Sequence, residues 1–529
     1  MLDVCHAWLD HGDGSWALKD ATLRVSLGDD ICLVGRNGSG KSTLLSALNG
    51  SLVAGRGEVS VDGVPIGADR ASRLRAARAV GLVCQDPVSR ILGSTVEEDV
   101  AFGPRNLGLP LEEVDRRVHC SLECVGLDGH GIQPTSQLSG GQAQRLSIAS
   151  ALAMEPRYLA LDEVTSELDE GSATAVRSLL LRKPLNGCGR VRATHDAEDI
   201  ARASSVVLME EGHVRWQGTP EGFFGSPSLV AAAGMEGSVV ARWAADLVAQ
   251  GLSLSLLADP SALARALGPV VARGAGACGA VSDGALAQGL VLSDVCVQAG
   301  SELVLNGLSL VVPRGAVTLL SGASGSGKTT CARVAAGLIE PDKGTATLDG
   351  TPVRAGSVGL AFQRPEDQAL APSVIEDVMM GPSLPPCDPA QAREQAEWAL
   401  GAVGLDRTLW ERPTWELSGG QRRRAALAAV VARPQGAYLL DEPTVGLDGP
   451  GRSAVRSLAR TLAEAGAAVC VISHDVAGWL AVAGRCALVA SGRTVWEGPA
   501  WRAVDSGAFE QAGLALPLEL AVAREAMSS

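Results

Sequence analysis

Apolar residues recur along this chain in two spacings. Continuous runs of four to six, such as "ICLV" (Ile31–Val34), "AVTLLS" (Ala316–Ser321), "YLALD" (Tyr158–Asp162) and "YLLD" (Tyr438–Asp441), stop at a glycine or an acid. That length and ending predict buried strands. Between them lie stretches with apolar residues three and four apart, such as "LLSALNG" and "CARVAAGLI", which predict helices. The alternation of the two predicts an α/β fold with a largely parallel sheet core.

The pattern occurs twice. "QDPVSRILGSTVEEDVAFGP" from Gln85 and "QRPEDQALAPSVIEDVMMGP" from Gln363 agree at the Gln, a Pro, the Glu-Asp-Val run and the closing Gly-Pro. Ser139 and Ser418, Asp162 and Asp441, and His195 and His474 each lie 279 residues apart, whereas Lys41 and Lys328 lie 287 apart. The first half therefore carries extra residues before its glutamine, around "GADRASRLRAARA", read as a structural insertion. A duplicated unit is expected, with a first domain at 1–225, an Ala/Gly-rich linker of short helices at 226–285, a second domain at 286–515 and a tail at 516–529.

Composition narrows the function. A net charge of −14 lacks the basic face that phosphate-backbone binding requires, so no nucleic-acid partner is expected. The 12 cysteines form no regular framework and read as buried hydrophobes of a reducing compartment. His119, Cys120 and Cys124 share a helical segment read as a packing face, not as a metal site. No basic-then-apolar leader opens the chain, and the longest uncharged stretch singled out, "LVAQGLSLSLLA", is shorter than the roughly 20 residues of a membrane span.

The chemistry is phosphate chemistry. "GRNGSGKST" (Gly35, Arg36, Asn37, Gly38, Ser39, Gly40, Lys41, Ser42, Thr43) and "GASGSGKTT" (Gly322, Ala323, Ser324, Gly325, Ser326, Gly327, Lys328, Thr329, Thr330) each follow a predicted strand and open a predicted helix. Glycines let backbone N–H groups approach a triphosphate, Lys41 or Lys328 neutralises its β and γ oxygens, and Ser42 or Thr329 offers a hydroxyl to Mg²⁺. The chain has only five lysines, and two stand here. Asp162 and Asp441, ending strands, suit Mg²⁺. Glu163 and Glu442 suit polarising an attacking water, and His195 and His474 follow their aspartates by the same 33 residues, as γ-phosphate sensors.

Last comes "LSGGQ", at Ser139, Gly140, Gly141 and Gln142 and again at Ser418, Gly419, Gly420 and Gln421, where a glycine pair opens a helix towards a phosphate. With the phosphate loops, glutamines, acids and histidines, the chain resembles the ATP-binding cassette (ABC) family over about four-fifths of its length. The resemblance implies two tandem P-loop NTPase domains, each a parallel core sheet with a helical subdomain, using ATP and Mg²⁺. It implies that the two cassettes pair intramolecularly, with Lys41 facing Ser418 and Lys328 facing Ser139. It also implies that Gln85 and Gln363 reach Mg²⁺ and the attacking water. The family stacks an aromatic on adenine. Trp8, or less favourably His11, can serve in the first half, whereas "VCVQAGSELVL" offers none in the second. Val164 replaces the family's proline, which is kept as Pro443. Two competent sites of unequal affinity are expected.

The wording after the glutamines is similar to cassettes of energy-coupling-factor importers and their cobalt and nickel relatives. This implies an ATPase subunit of a vitamin or metal importer, peripheral on the cytoplasmic face of the membrane. Integral membrane transporter subunits would dock on the segments after Gln85 and Gln363, and a separate membrane protein would choose the substrate. The apolar members of 91–100 and 369–378 are then expected to be partly exposed. A peptide or sugar importer, or a soluble non-transport ABC protein, are the alternatives.

Overall fold

The strands expected from the apolar runs all form. In the first half they are β1 (Leu2–Asp10), β2 (Trp16–Val25), β3 (Asp30–Val34), β4 (Arg56–Val61), β5 (Val64–Pro65), β6 (Val80–Val83), β7 (Tyr158–Asp162), β8 (Gly189–Ala193), β9 (Ser205–Glu210) and β10 (His213–Gly218). The computed structural model describes residues 1–10, 16–166, 168, 170–180, 187–268, 288–300, 302–362, 370–383 and 388–528. They divide into two compact units, Met1–Ala266 and Leu267–Ser529.

In the first unit a six-stranded sheet runs in the order β10, β9, β3, β8, β7, β6, parallel except for the β9–β10 hairpin. Strand β3 is buried at all five positions, as a strand covered on both faces must be. Because β3, β8, β7 and β6 are parallel neighbours, the loops leaving them share one edge, where α/β sheets bind ligands. A second, antiparallel sheet has the order β2, β1, β4, β5. The helices Val96–Asn106, Leu111–Val125 and Gly140–Leu152 pack on one another around Val100, Val118, Leu122 and Leu146. His119 and Cys120 point outward from the second of these helices, so the face that packs is instead that of Val114, Val118 and Leu122.

The second unit repeats this plan with β11 (Gly289–Ala299), β12 (Glu302–Pro313), β13 (Val317–Ser321), β14 (Lys343–Leu348), β15 (Thr351–Pro352), β16 (Gly359–Ala361), β17 (Ala437–Asp441), β18 (Ala468–Ile472), β19 (Arg485–Ala490) and β20 (Arg493–Pro499). The six-stranded order is β16, β17, β18, β13, β19, β20. The extra residues of the first half form the helix Arg70–Ala79, capped by Asp69 and tied down where Arg73 donates to the Gly50 carbonyl at 3.0 Å.

The cores are not identical. In the first unit the buried Arg192 donates to both oxygens of Asp30 (2.8 and 3.0 Å) and to Asp199 (2.9 Å). At the matching positions the second unit has Val471, Val317 and Gly478, and its two valines are buried. A charge ladder stands where the sister unit has aliphatic packing.

Most of the expected linker is built into the first unit. Short helices do form, at Pro227–Ala232, Val239–Ala249, Leu254–Ala258 and Pro260–Leu267, but the unit boundary falls after Ala266. Their apolar faces, including Trp243, Leu247, Leu254 and Leu257, are buried, and Val239–Ala249 packs on the helices Ala197–Ala201 and Pro220–Phe224. The sequence pattern shows the helices but not the surface that covers them. Likewise the tail forms the helix Leu518–Ser528, packed on Ala500–Asp505.

Candidate functional site

Each phosphate loop is shaped by close approach. A Cβ on Gly35 would stand 2.2 Å from the Met209 carbonyl oxygen, and Gly40 and Gly327 both hold φ of 100°, a conformation other residues resist. The helices Lys41–Leu48 and Lys328–Ala335 start there, so their first N–H groups face the loop. Lys41 is buried, and its Nζ donates to the carbonyls of Gly35 (2.6 Å) and Arg36 (3.2 Å). Lys328 does the same with Gly322 (2.7 Å) and Ala323 (2.9 Å). The loops thus curl around an ammonium group. Asn37 and Gly38 lie exposed on the first, while Ser39 and Ser326 are buried, their hydroxyls without partners among the described residues.

The acids converge on this edge. Thr329 donates to Asp441 at 3.1 Å, and Ser42 hydrogen-bonds Asp162 in the first unit. Burial raises the pKa of both aspartates above its ordinary value, against the Ser42 and Thr329 hydroxyls that lower it. The next residues, Glu163 and Glu442, have φ of 45° and 50°, which non-glycine residues adopt only where surroundings enforce it. Each amide is anchored to the neighbouring strand, Glu163 to Ala193 (3.0 Å) and Glu442 to Ile472 (2.9 Å). Burial pushes Glu442 up to about 8, with Asp441 beside it adding to the rise.

The histidines arrive where their spacing put them. His195 Nε2 lies 3.4 Å from Glu163 and 3.5 Å from Lys41 Nζ, and His474 Nε2 lies 3.5 Å from Glu442. In the second unit Glu442 also accepts the His474 amide (3.0 Å) and the Ser473 hydroxyl (3.2 Å). The Ser473 contact has no signal in the sequence beyond its place before the histidine. Lysine, hydroxyl, aspartate, glutamate and histidine therefore meet at one edge within each unit. Gln85 lies half-buried just past β6, whose partner β7 ends on Asp162. Gln363 lies outside the described residues.

Ser139 and Ser418 each cap a helix through a reciprocal capping box. Ser139 accepts the Gln142 amide and Gln142 accepts the Ser139 amide (2.9 Å), and the Ser418–Gln421 pair repeats this at 3.0 Å. Gly140, Gly141, Gly419 and Gly420 form the first turns. Trp8 is half-buried and meets Trp16 edge-on with centroids 5.5 Å apart, and Arg56 covers Trp16 at 5.3 Å. Strand β2 continues from Trp16 to Ala17, whose carbonyl faces Gly40. In the second unit Val304 faces Gly327 in the same way, and Cys296 and the exposed Leu303 occupy the two tryptophan positions. His11 lies outside the described residues.

A model of the ABC transporter family matches residues 18–166 and 305–445, more than half of the chain. The chain belongs to the ABC transporter family. Its two units are ABC ATPase domains. A Bifidobacterium longum protein described as an ABC transporter ATP-binding protein is 32% identical over 87% of this chain, which spans 61% of that relative's length. The energy-coupling factor transporter ATP-binding protein of Methanocaldococcus jannaschii is 41% identical over 42% of this chain and 81% of its own. The solved cbiO1 of Clostridium perfringens, part of an ABC transporter complex, is 33% identical over 44% of this chain and 92% of its own, with a TM-score of 0.40. Among the described residues of this ABC protein, no helix is long and apolar enough to cross a membrane.

In this ABC protein the segments after the glutamines differ from expectation. Val96, Val100, Val374, Ile375 and Val378 are buried, because the helices they open bury that face in the helical lobe. Leu92 and Leu370, in the loops just before, are exposed at 67% and 79%. Residues 363–369 lie outside the described residues.

Proposed function

We propose that this chain is the ATP-hydrolysing subunit of an energy-coupling-factor type importer of a vitamin or metal ion, resident on the cytoplasmic membrane face. Its partners are integral membrane subunits and a separate substrate-binding membrane protein. Hydrolysis takes place at two composite sites, each completed by the other cassette's Ser139 or Ser418 helix. The carrying observation is the pair of exposed leucines, Leu92 and Leu370, standing at matched places just after the glutamine loops of an ABC chain. The 41% identity of one half to an energy-coupling factor ATPase supports the narrower reading.

The residues suit the chemistry. Lys41 and Lys328 would bind the β and γ phosphates, and Ser42 with Asp162 and Thr329 with Asp441 would hold Mg²⁺, with Gln85 and Gln363 nearby. Bound there, Mg²⁺ supplies neutralising charge on the phosphate oxygens. Glu163 and Glu442 would orient water and take its proton. His195 and His474, within 3.5 Å of those carboxylates, would donate to the γ-phosphate and hold the glutamates in place.

Replacing Leu92 and Leu370 together by Glu tests the docking. Either carboxylate would lose its solvation on docking without gaining a partner. Basal ATPase and melting temperature should stay at parental values while co-purification with the membrane partner and uptake are lost. Normal uptake by the folded variant would place docking elsewhere and remove this reading.

A further inference from the structure

We propose that the helical segment 227–258 is a positioning clamp for the first phosphate loop, acting through Arg36. Arg36 is the second residue of the loop. Its carbonyl accepts from Lys41, while its side chain turns away from the cradle to the segment. There its guanidinium donates to the Ala231 carbonyl (3.4 Å) and lies 3.6 Å from Glu236, and Gly234 leaves room beside its stem, 3.3 Å from where a Cβ would stand.

Two further contacts put the same segment against the site. Pro227–Ala232 packs on β9, whose Met209 carbonyl abuts Gly35. Val239–Ala249 and Leu254–Ala258 pack on Ala197–Ala201, the helix that begins two residues after His195. Both the loop that would bind phosphate and the helix behind the sensor histidine therefore rest on one body. The second unit lacks the polar tether, because Ala323 replaces Arg36 and packs against the apolar cluster that includes Leu514. The clamp belongs to one site only.

By linkage, a loop ordered by the segment binds nucleotide better, and bound nucleotide in turn orders the segment. The inference rests on the nucleotide-site reading, and the experiment separates the two. In the full chain carrying Lys328→Ala, MgATP binding to the first site is titrated and amide hydrogen exchange of 229–236 is followed. ATP should slow exchange there. Arg36→Ala and Glu236→Ala should each weaken binding roughly two- to five-fold, as half-exposed ion pairs allow. Their double variant should be no weaker than Arg36→Ala, Arg36→Lys should recover part of the loss, and melting temperatures should not move. Parental affinity in Arg36→Ala, or undiminished slowing of 229–236 in that variant, overturns the clamp. Failure of the Lys328→Ala chain to bind ATP at all would overturn the nucleotide-site reading itself, and the clamp with it.

Discussion

The Asp99 carboxylate accepts the backbone amide of Leu92 at 2.8 Å, so the acid of the repeated Glu-Asp-Val run holds the exposed leucine in place. The same oxygen takes Gly93 (3.1 Å) and the other takes the Ser150 hydroxyl (2.8 Å), while in the second unit Asp377 accepts Leu370 (2.7 Å) and Ala371 (3.1 Å). Because Asp99 is buried and accepts three hydrogen bonds, whose donors would be left unpaired, Asp99→Ala should destabilise the first unit by about 2–3 kcal/mol. Urea unfolding measures this, and hydrogen exchange at Leu92 and Gly93 should rise with it.

Substituting both Glu163 and Glu442 by Gln keeps the shape but removes the proton acceptors. Steady-state ATP hydrolysis should fall by at least about 100-fold while ATP is still bound. Phosphate release and equilibrium binding, measured on one preparation, distinguish the two. Undiminished turnover would show that neither glutamate polarises water.

The two sites should differ in affinity. Base stacking on an aromatic contributes on the order of 1–3 kcal/mol. The first unit places Trp8 and Trp16 on the strands beside its loop, where the second has Cys296 and Leu303. ATP should bind more tightly to the Lys328→Ala variant, which retains the first loop, than to Lys41→Ala. Equal affinities would refute the difference.

Glu442 also predicts a pH effect in the metal-free protein. Buried, it holds its proton up to about 8, whereas an ordinary glutamate releases it near 4.5. Its contribution to stability is therefore complete below about 4.5 and is lost as pH rises through about 8. With EDTA present, the parent should lose stability over that window relative to Glu442→Gln, which has no proton to lose. Parallel stability curves for the two proteins would show that the glutamate is not protonated in the fold.

Much of this was legible because the chemistry sits at strand ends. Apolar runs located β3, β7 and β8, and parallel order then brought Lys41, Asp162 and His195 to one edge. Tertiary contacts were not legible. The 227–258 helices could be read from periodicity, but not that their apolar faces cover Ala197–Ala201, nor that Arg36 turns back to Glu236. Val96 and Val100 looked like docking residues because an amphipathic helix reads alike whether its apolar stripe meets a partner or its own lobe. That Asp99 fixes Leu92 was not legible either, because nothing local tells that its oxygen meets the backbone amides seven and six residues upstream.

The Asp30–Arg192–Asp199 ladder decides whether the two halves could exchange strands. A genetic crossover that joined β3 of the first copy to β18 of the second would set Asp30 beside Val471 and strand a buried carboxylate. Breaking such a pair costs roughly 3–5 kcal/mol, a large part of the stability a domain possesses. The strands of the two sheets are therefore not interchangeable, although they share one order.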